Sequence, residues 1–172
     1  MACCHYYQLA SGGDQLFSVD VSKVRFGPGA IDELGQEARL LGINRVAVFT
    51  DRRVAELSLF SDAMAAIRGA DLDPVVYDTV RVEPTDQSFR EAIQFVADDN
   101  FDGFISIGGG SVMDTCKAAN LYSTHPADFM AYVNVPIGQG LPVPGKLKPH
   151  LACPTTAGTG SECTGIAVFD LL

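Results

Sequence analysis

Residues 104–121 read FISIGGGSVMDTCKAANL. An apolar run passes straight into three consecutive glycines, and then into a serine, an aspartate and a lysine. One glycine is enough for a strand-to-helix turn, so Gly108, Gly109 and Gly110 give up backbone rigidity beyond what a turn requires. Either they make a tight connection, or their bare backbone lies against a ligand; phosphate at a helix N-terminus is the ligand such a loop fits. GFISI (103–107) predicts a buried strand, and SVMDTCKAANLYS (111–123) predicts a helix. The unit is strand, glycine loop, helix.

The same alternation runs along the chain. RVAVFTD (45–51) is a continuous apolar run closed by Thr50 and Asp51, as in a strand buried on both faces. IDELGQEARLLG (31–42) predicts a helix with Ile31, Leu34, Ala38 and Leu41 on one face, stopping at Gly42. VAELSLFSDAMAAIRGA (54–70) is helical in period, with Ser61-Asp62 as a candidate break or re-capping point. PVVYD (74–78) predicts a strand, and DQSFREAIQFVADDN (86–100) a helix with Phe89, Ile93 and Val96 on one stripe. FSVDVSKVRFG (17–27) alternates like a half-buried or edge strand and ends at Gly27-Pro28-Gly29. Residues 134–150 are proline-rich and read as a loop until HLACP (150–154), a short strand; IAVFDLL (166–172) reads as an apolar strand end. Strands alternating with helices imply right-handed crossovers and a mainly parallel sheet, whose ligands bind beyond the carboxyl ends of the strands. Asp51 and the glycine triplet both lie at such ends.

Composition narrows the function. The chain has 172 residues, 47% of them hydrophobic and 19% charged, with mean hydropathy +0.16, enough apolar material for a buried core. Net charge is −9 and basic residues form no dense run, which argues against a nucleic-acid partner. No apolar stretch approaches the roughly 18 residues of a membrane span, and the start, MACCHYYQLASGGDQ, reads as neither a secretory nor a transit signal. Five cysteines without a CxxC argue against a disulfide framework. Cys3-Cys4-His5 looks metal-like but has no fourth ligand nearby. A cytoplasmic protein is the expectation, with the mitochondrial matrix as the alternative for a eukaryotic source.

Two nucleotide signatures fail. Met113 stands where the dinucleotide fingerprint needs its third glycine, and Leu147 stands where a P-loop needs Ser or Thr after Lys146. What remains is a helix opened by GGGS, where successive N–H groups converge on an anion. Ser111 suits both helix capping and phosphate binding, and Asp114 with Lys117 is either a simple i,i+3 pair or part of the site. TTAGTGSE (155–162) combines small residues with Thr155, Thr156, Thr159 and Ser161, the composition of a second cleft wall. Asp51 either caps the following helix or accepts the hydroxyls of an adenosine ribose; in the second role it repels a 2′-phosphate and favours NAD over NADP.

A strand ending in Thr-Asp, then GGGSxxDxxK, then PTTAGTGSE resembles the iron-containing (group III) alcohol dehydrogenases. VRVEPTD (80–86), GGGSVMDTCKAANLY (108–122), DFMAYVNVPIGQG (128–140) and TTAGTGSECTGIAVFD (155–170) are closer to the branch of hydroxyacid-oxoacid transhydrogenases. The resemblance runs from about Val19 onward. It implies a Rossmann-like, mainly parallel α/β sheet with flanking helices, the dehydroquinate synthase-like nucleotide domain, over residues 19–172 after an extension at 1–18. Cofactor binding then falls on Asp51, Gly109, Gly110, Ser111, Asp114, Thr155, Thr156 and Thr159. Glu83 replaces the Asn that commonly precedes Pro84 in the family, and no cofactor role is carried onto it.

The resemblance further implies NAD, small hydroxyacid and oxoacid substrates such as 4-hydroxybutyrate and 2-oxoglutarate, and ferrous iron held by Asp and three His in a helical second domain. His5, His125 and His150 match no such pattern, so the expectation is an amino-terminal half with neither catalytic nor metal-ligating residues of its own. An ordinary NAD-dependent alcohol dehydrogenase is one alternative, and a non-catalytic nucleotide- or partner-binding fragment is another. Assembly of like subunits stays open.

Overall fold

The apolar runs form the sheet and the periodic segments cover it. The computed structural model describes residues 22–172; the 1–18 extension, the Cys3-Cys4-His5 cluster and residues 17–21 of the expected first strand lie outside them. Strands β1 (Arg45–Phe49), β2 (Asp73–Tyr77), β3 (Gly103–Gly108) and β4 (His150–Pro154) are parallel, in the order β2-β1-β3-β4. The connections contain α1 (Leu34–Leu40), α2 (Arg52–Ala55), α3 (Ser58–Gly69), α4 (Asp86–Ala97) and α5 (Gly110–Thr124). From β1 the chain adds β2 on one side and then returns to place β3 on the other. The winding therefore reverses between β1 and β3, the kind of crevice where open α/β sheets bind ligands.

Alternate residues of β1 and β3 feed two cores. Val46, Val48, Ile105 and Ile107 pack with Leu34 and Ala38 of α1 and Ala63, Met64 and Ile67 of α3. On the other face Ala47, Phe49 and Phe104 pack with Ala92 and Val96 of α4 and with Val112, Cys116 and Ala119 of α5. Both faces of these central strands are closed, as their unbroken apolar sequence requires. Each fully buried large side chain contributes roughly 1.5–3 kcal/mol.

Four expectations change. The 54–70 helix divides at Glu56-Leu57 instead of Ser61-Asp62. Ser61 does not break α3, because its hydroxyl donates back to the Ser58 carbonyl at 2.7 Å. Residues 22–26 form no strand, and Val24 and Phe26 are 68% and 99% exposed; alternation can build a strand only where a sheet edge pairs with it. Leu41, expected in the buried stripe of α1, is 51% exposed just past the helix end. Residues 166–172 make a single parallel bridge, Asp170 to Thr85, because side chains from α5 take up several backbone groups before it. The proline-rich stretch from 134 to 149 carries no helix or strand, as its composition dictates.

Candidate nucleotide-binding site

Strand register builds the site. Phe49 pairs with Ser106 and Gly108 with Pro154, so Asp51, Gly108 and Pro154 lie level at the carboxyl ends of three neighbouring strands. Two hydrogen bonds hold that rim. Thr50 Oγ1 donates to the Ile107 carbonyl at 2.8 Å, and the Thr155 amide donates to the Gly108 carbonyl at 2.9 Å.

Gly109, in extended conformation, is the N-cap of α5 and offers no side-chain cap. The first amides of the helix have no intrahelical acceptor and carry the positive end of its dipole. Ser111, expected as the N-cap, sits in the first turn instead; its Oγ has no partner among the described residues. The threonine loop lies over this end of the helix. A Cβ added at Gly109 would stand 3.4 Å from Thr156 Oγ1, and one at Gly110 would stand 3.4 Å from Thr159 Cγ2. A Cβ would just touch the threonine side chains, and a longer side chain would fill the space between the two walls.

Gly110, Ser111, Asp114 and Thr159 line one cavity of about 510 Å³, together with Glu83, Pro84, Ser161 and the segment around Phe169. Glu83, Pro84 and Phe169 were not legible as cavity residues in the sequence. The unusual backbone of Glu83, at φ 57° directly before Pro84, follows from the loop and not from any residue pattern. Thr155 and Thr156 are exposed on the same loop.

Asp51 lies apart from that cavity, in a smaller one of about 200 Å³ shared with Arg52, Arg53 and Thr79. Its Oδ1 accepts the amides of Arg53 and Val54 at 2.9 and 3.0 Å, so the capping alternative holds. Oδ2 has no partner among the described residues. Asp114 is different, because both of its oxygens are engaged. Oδ1 meets Ser161 Oγ at 2.5 Å and Lys117 Nζ at 2.8 Å, and Oδ2 accepts the Val168 amide at 3.0 Å.

The remaining reactive side chains have other duties. Burial pushes the Cys116 thiol well up and Cys153 up to about 11, so neither is a ready thiolate. His150 Nε2 bonds Ser106 Oγ at 2.8 Å across β3 and β4. Burial first, and the charge of Lys117 second, push its imidazole down to about 4. Among the described residues no group of three or more His, Cys, Asp or Glu side chains could hold a metal ion, so these residues offer no donor set for iron. No helix among them is long and apolar enough to cross a membrane.

The family model for iron-containing alcohol dehydrogenases matches residues 21–171. The mitochondrial hydroxyacid-oxoacid transhydrogenase of Bos taurus is 49% identical over 96% of this chain and 37% of its own length. That of Xenopus tropicalis is 50% identical, covering 90% of this chain and 34% of its own length. The chain thus spans a little over a third of these relatives. Their names carry a mitochondrial location, which leaves the cytoplasmic expectation without support. Among solved structures, 1,3-propanediol oxidoreductase superposes with a TM-score of 0.76 at 28% identity, over 87% of this chain and 38% of that one. NADH-dependent butanol dehydrogenase A of Thermotoga maritima shares the fold, with a TM-score of 0.79 at 22% identity over 90% of this chain and 38% of that one.

Proposed function

The chain belongs to the iron-containing alcohol dehydrogenase family, and we propose that its cleft binds NAD(H) for hydride exchange between a hydroxyacid and an oxoacid. One observation carries this reading: an uncapped helix N-terminus, bare at Gly109 and Gly110, lies beneath a threonine loop at a reversal of sheet winding. In this proposal the amides of Gly109, Gly110 and Ser111 receive the pyrophosphate, with Ser111 Oγ as a further donor. Thr155, Thr156 and Thr159 supply hydroxyls from above. Asp51 Oδ2, at the neighbouring strand end, accepts the adenosine ribose and repels a 2′-phosphate.

Bound NAD supplies a hydride acceptor and donor; the protein's share is to orient it and hold water off its phosphates. The mitochondrial relatives suggest a transhydrogenase, converting 4-hydroxybutyrate and 2-oxoglutarate to succinate semialdehyde and 2-hydroxyglutarate, in the mitochondrial matrix. The likeness to 1,3-propanediol oxidoreductase favours a simple dehydrogenase as the second reading. The two differ in whether label passes between the acids without free NADH appearing. In either reaction the role assigned to the described residues is nucleotide binding.

The test is titration of ¹⁵N-labelled protein with ADP-ribose. Shifts should concentrate at the amides of Gly109, Gly110 and Ser111 and along 155–159. Shifts absent there, or centred elsewhere, would remove the proposal.

A further inference from the structure

Lys117 carries more contacts than an i,i+3 surface pair needs. Its ammonium donates to the carbonyls of Ser161 at 3.1 Å, Thr164 at 3.3 Å and Ile166, and it pairs with Asp114 at 2.8 Å. Both side chains are nearly buried, at 14% and 11% exposure. Asp114 completes the ring by holding Ser161 Oγ and the Val168 amide. Apart from a short 3-10 turn at Ser161–Cys163, residues 161–168 have no regular structure of their own. One cation and one anion on α5 thus collect their backbone groups. The same segment continues directly from Thr159, which covers Gly110.

We propose that Asp114 and Lys117 are positioning residues. They clasp the segment following the threonine loop onto α5 and so set the height of the cleft, without touching the nucleotide themselves. The inference rests on the nucleotide reading above but makes a separate claim about how the site is held. It reassigns Asp114 from an expected cofactor contact to a support. Desolvated charge-assisted bonds of this kind are strong while paired and costly once a partner is lost, so the two side chains should act as a unit.

The experiment compares the parent chain with Asp114→Asn, Lys117→Met and the double variant. Circular dichroism confirms folding, and Lys117→Gln serves as the substitute if the methionine variant does not fold. Amide hydrogen exchange without nucleotide should quicken across 159–168 in every variant, while β1 and β3 keep their protection. NADH affinity should fall about tenfold in each single variant, the scale of one lost charge-assisted bond. The double variant should be no weaker than the worse single, the mark of coupled residues. Unchanged exchange in 159–168 would overturn the clasp. Loosened exchange with unchanged affinity, or additive losses in the double variant, would overturn its positioning role. No NADH binding by the parent chain would overturn the nucleotide reading instead, while the exchange result would still decide whether the clasp exists.

Discussion

The segments on the two sides of α5 are held by different forces. Before it, from Ile31 to Gly108, the chain is fixed by burial, with Ala38, Ile43, Val46, Val48, Ile67, Phe104 and Ile105 entirely sealed from solvent. After it, from His125 to Leu172, most residues lie outside regular structure, and Val135, Ile137, Ile166 and Val168 are more than half exposed. Beyond the pairing of β4 with β3 and the packing of Phe129 and Phe169 against Phe89, Ala118 and Tyr122, that stretch depends on single polar attachments to α5. Asn120 grips both backbone groups of Lys148, Tyr122 donates to the Phe129 carbonyl, and Lys117 and Asp114 hold 161–168. Burial is spread over many side chains and tolerates the loss of one contact. Attachment by single polar groups does not, but it lets a cleft wall stay thin and open to a ligand.

The largest effect should come from breaking the buried side. Gly35 lets α1 approach α3 so closely that an added Cβ would stand 2.2 Å from the Ala66 carbonyl oxygen. Gly35→Ala should cost about 3 kcal/mol of stability, at the upper end for overpacking. Denaturant unfolding measures this, and NADH affinity of the folded fraction should hardly change.

Acid should act on the junction between the two sides. His150 titrates at about 4 when folded and near 6.5 when unfolded, so between those values the unfolded chain binds more protons. Stability therefore falls as pH drops from 6.5 towards 4 and is unaffected by this group above that range. The full loss would be about 3 kcal/mol, and the residue's partly accessible place on edge strand β4 makes a smaller loss the expectation. Unfolding of His150→Gln across this range should show a flatter pH slope. An unchanged slope would mean that other groups carry it.

On the attached side, Asn120→Ala removes three hydrogen bonds, to the Lys148 carbonyl, the Lys148 amide and Thr124 Oγ1. Leaving half-buried groups unpaired should cost about 1 kcal/mol, and hydrogen exchange should quicken in the 134–149 loop before it does in β1. The smallest effect belongs to Asp51. Asp51→Gly should narrow the preference for NADH over NADPH by a few-fold, about 1 kcal/mol, and lose part of that again in helix capping. Competition binding reads it.

The same division explains what the sequence reveals. Strands β1 and β3 are legible as unbroken apolar runs buried on both faces, as in Val46–Phe49, and helix α4 because burial repeats with its period, as in Phe89 and Val96. The glycine triplet and the threonine loop are legible because their residue types are extravagant for ordinary turns. Lys117 is not, since an i,i+3 Asp-Lys pair reads the same whether it is solvated or caging three carbonyls. Nor is the cap of α5: Ser111 is the better capping residue by type, yet the helix starts at Gly110 and Gly109 holds that place. The described part of the expected first strand, 22–27, and the apolar 166–172 mislead because an apolar pattern names a face and not a partner.

The central claim is that the gap between α5 and the threonine loop holds a dinucleotide, and Gly110→Val tests it most directly. A valine there would crowd Thr159 and fill the space above the helix amides. NADH fluorescence titration should show saturable binding by the parent chain and a loss of about 100-fold in the variant, with unfolding displaced by no more than the 1–3 kcal/mol of local overpacking. Equal NADH affinity in the parent and a folded Gly110→Val variant would contradict the account.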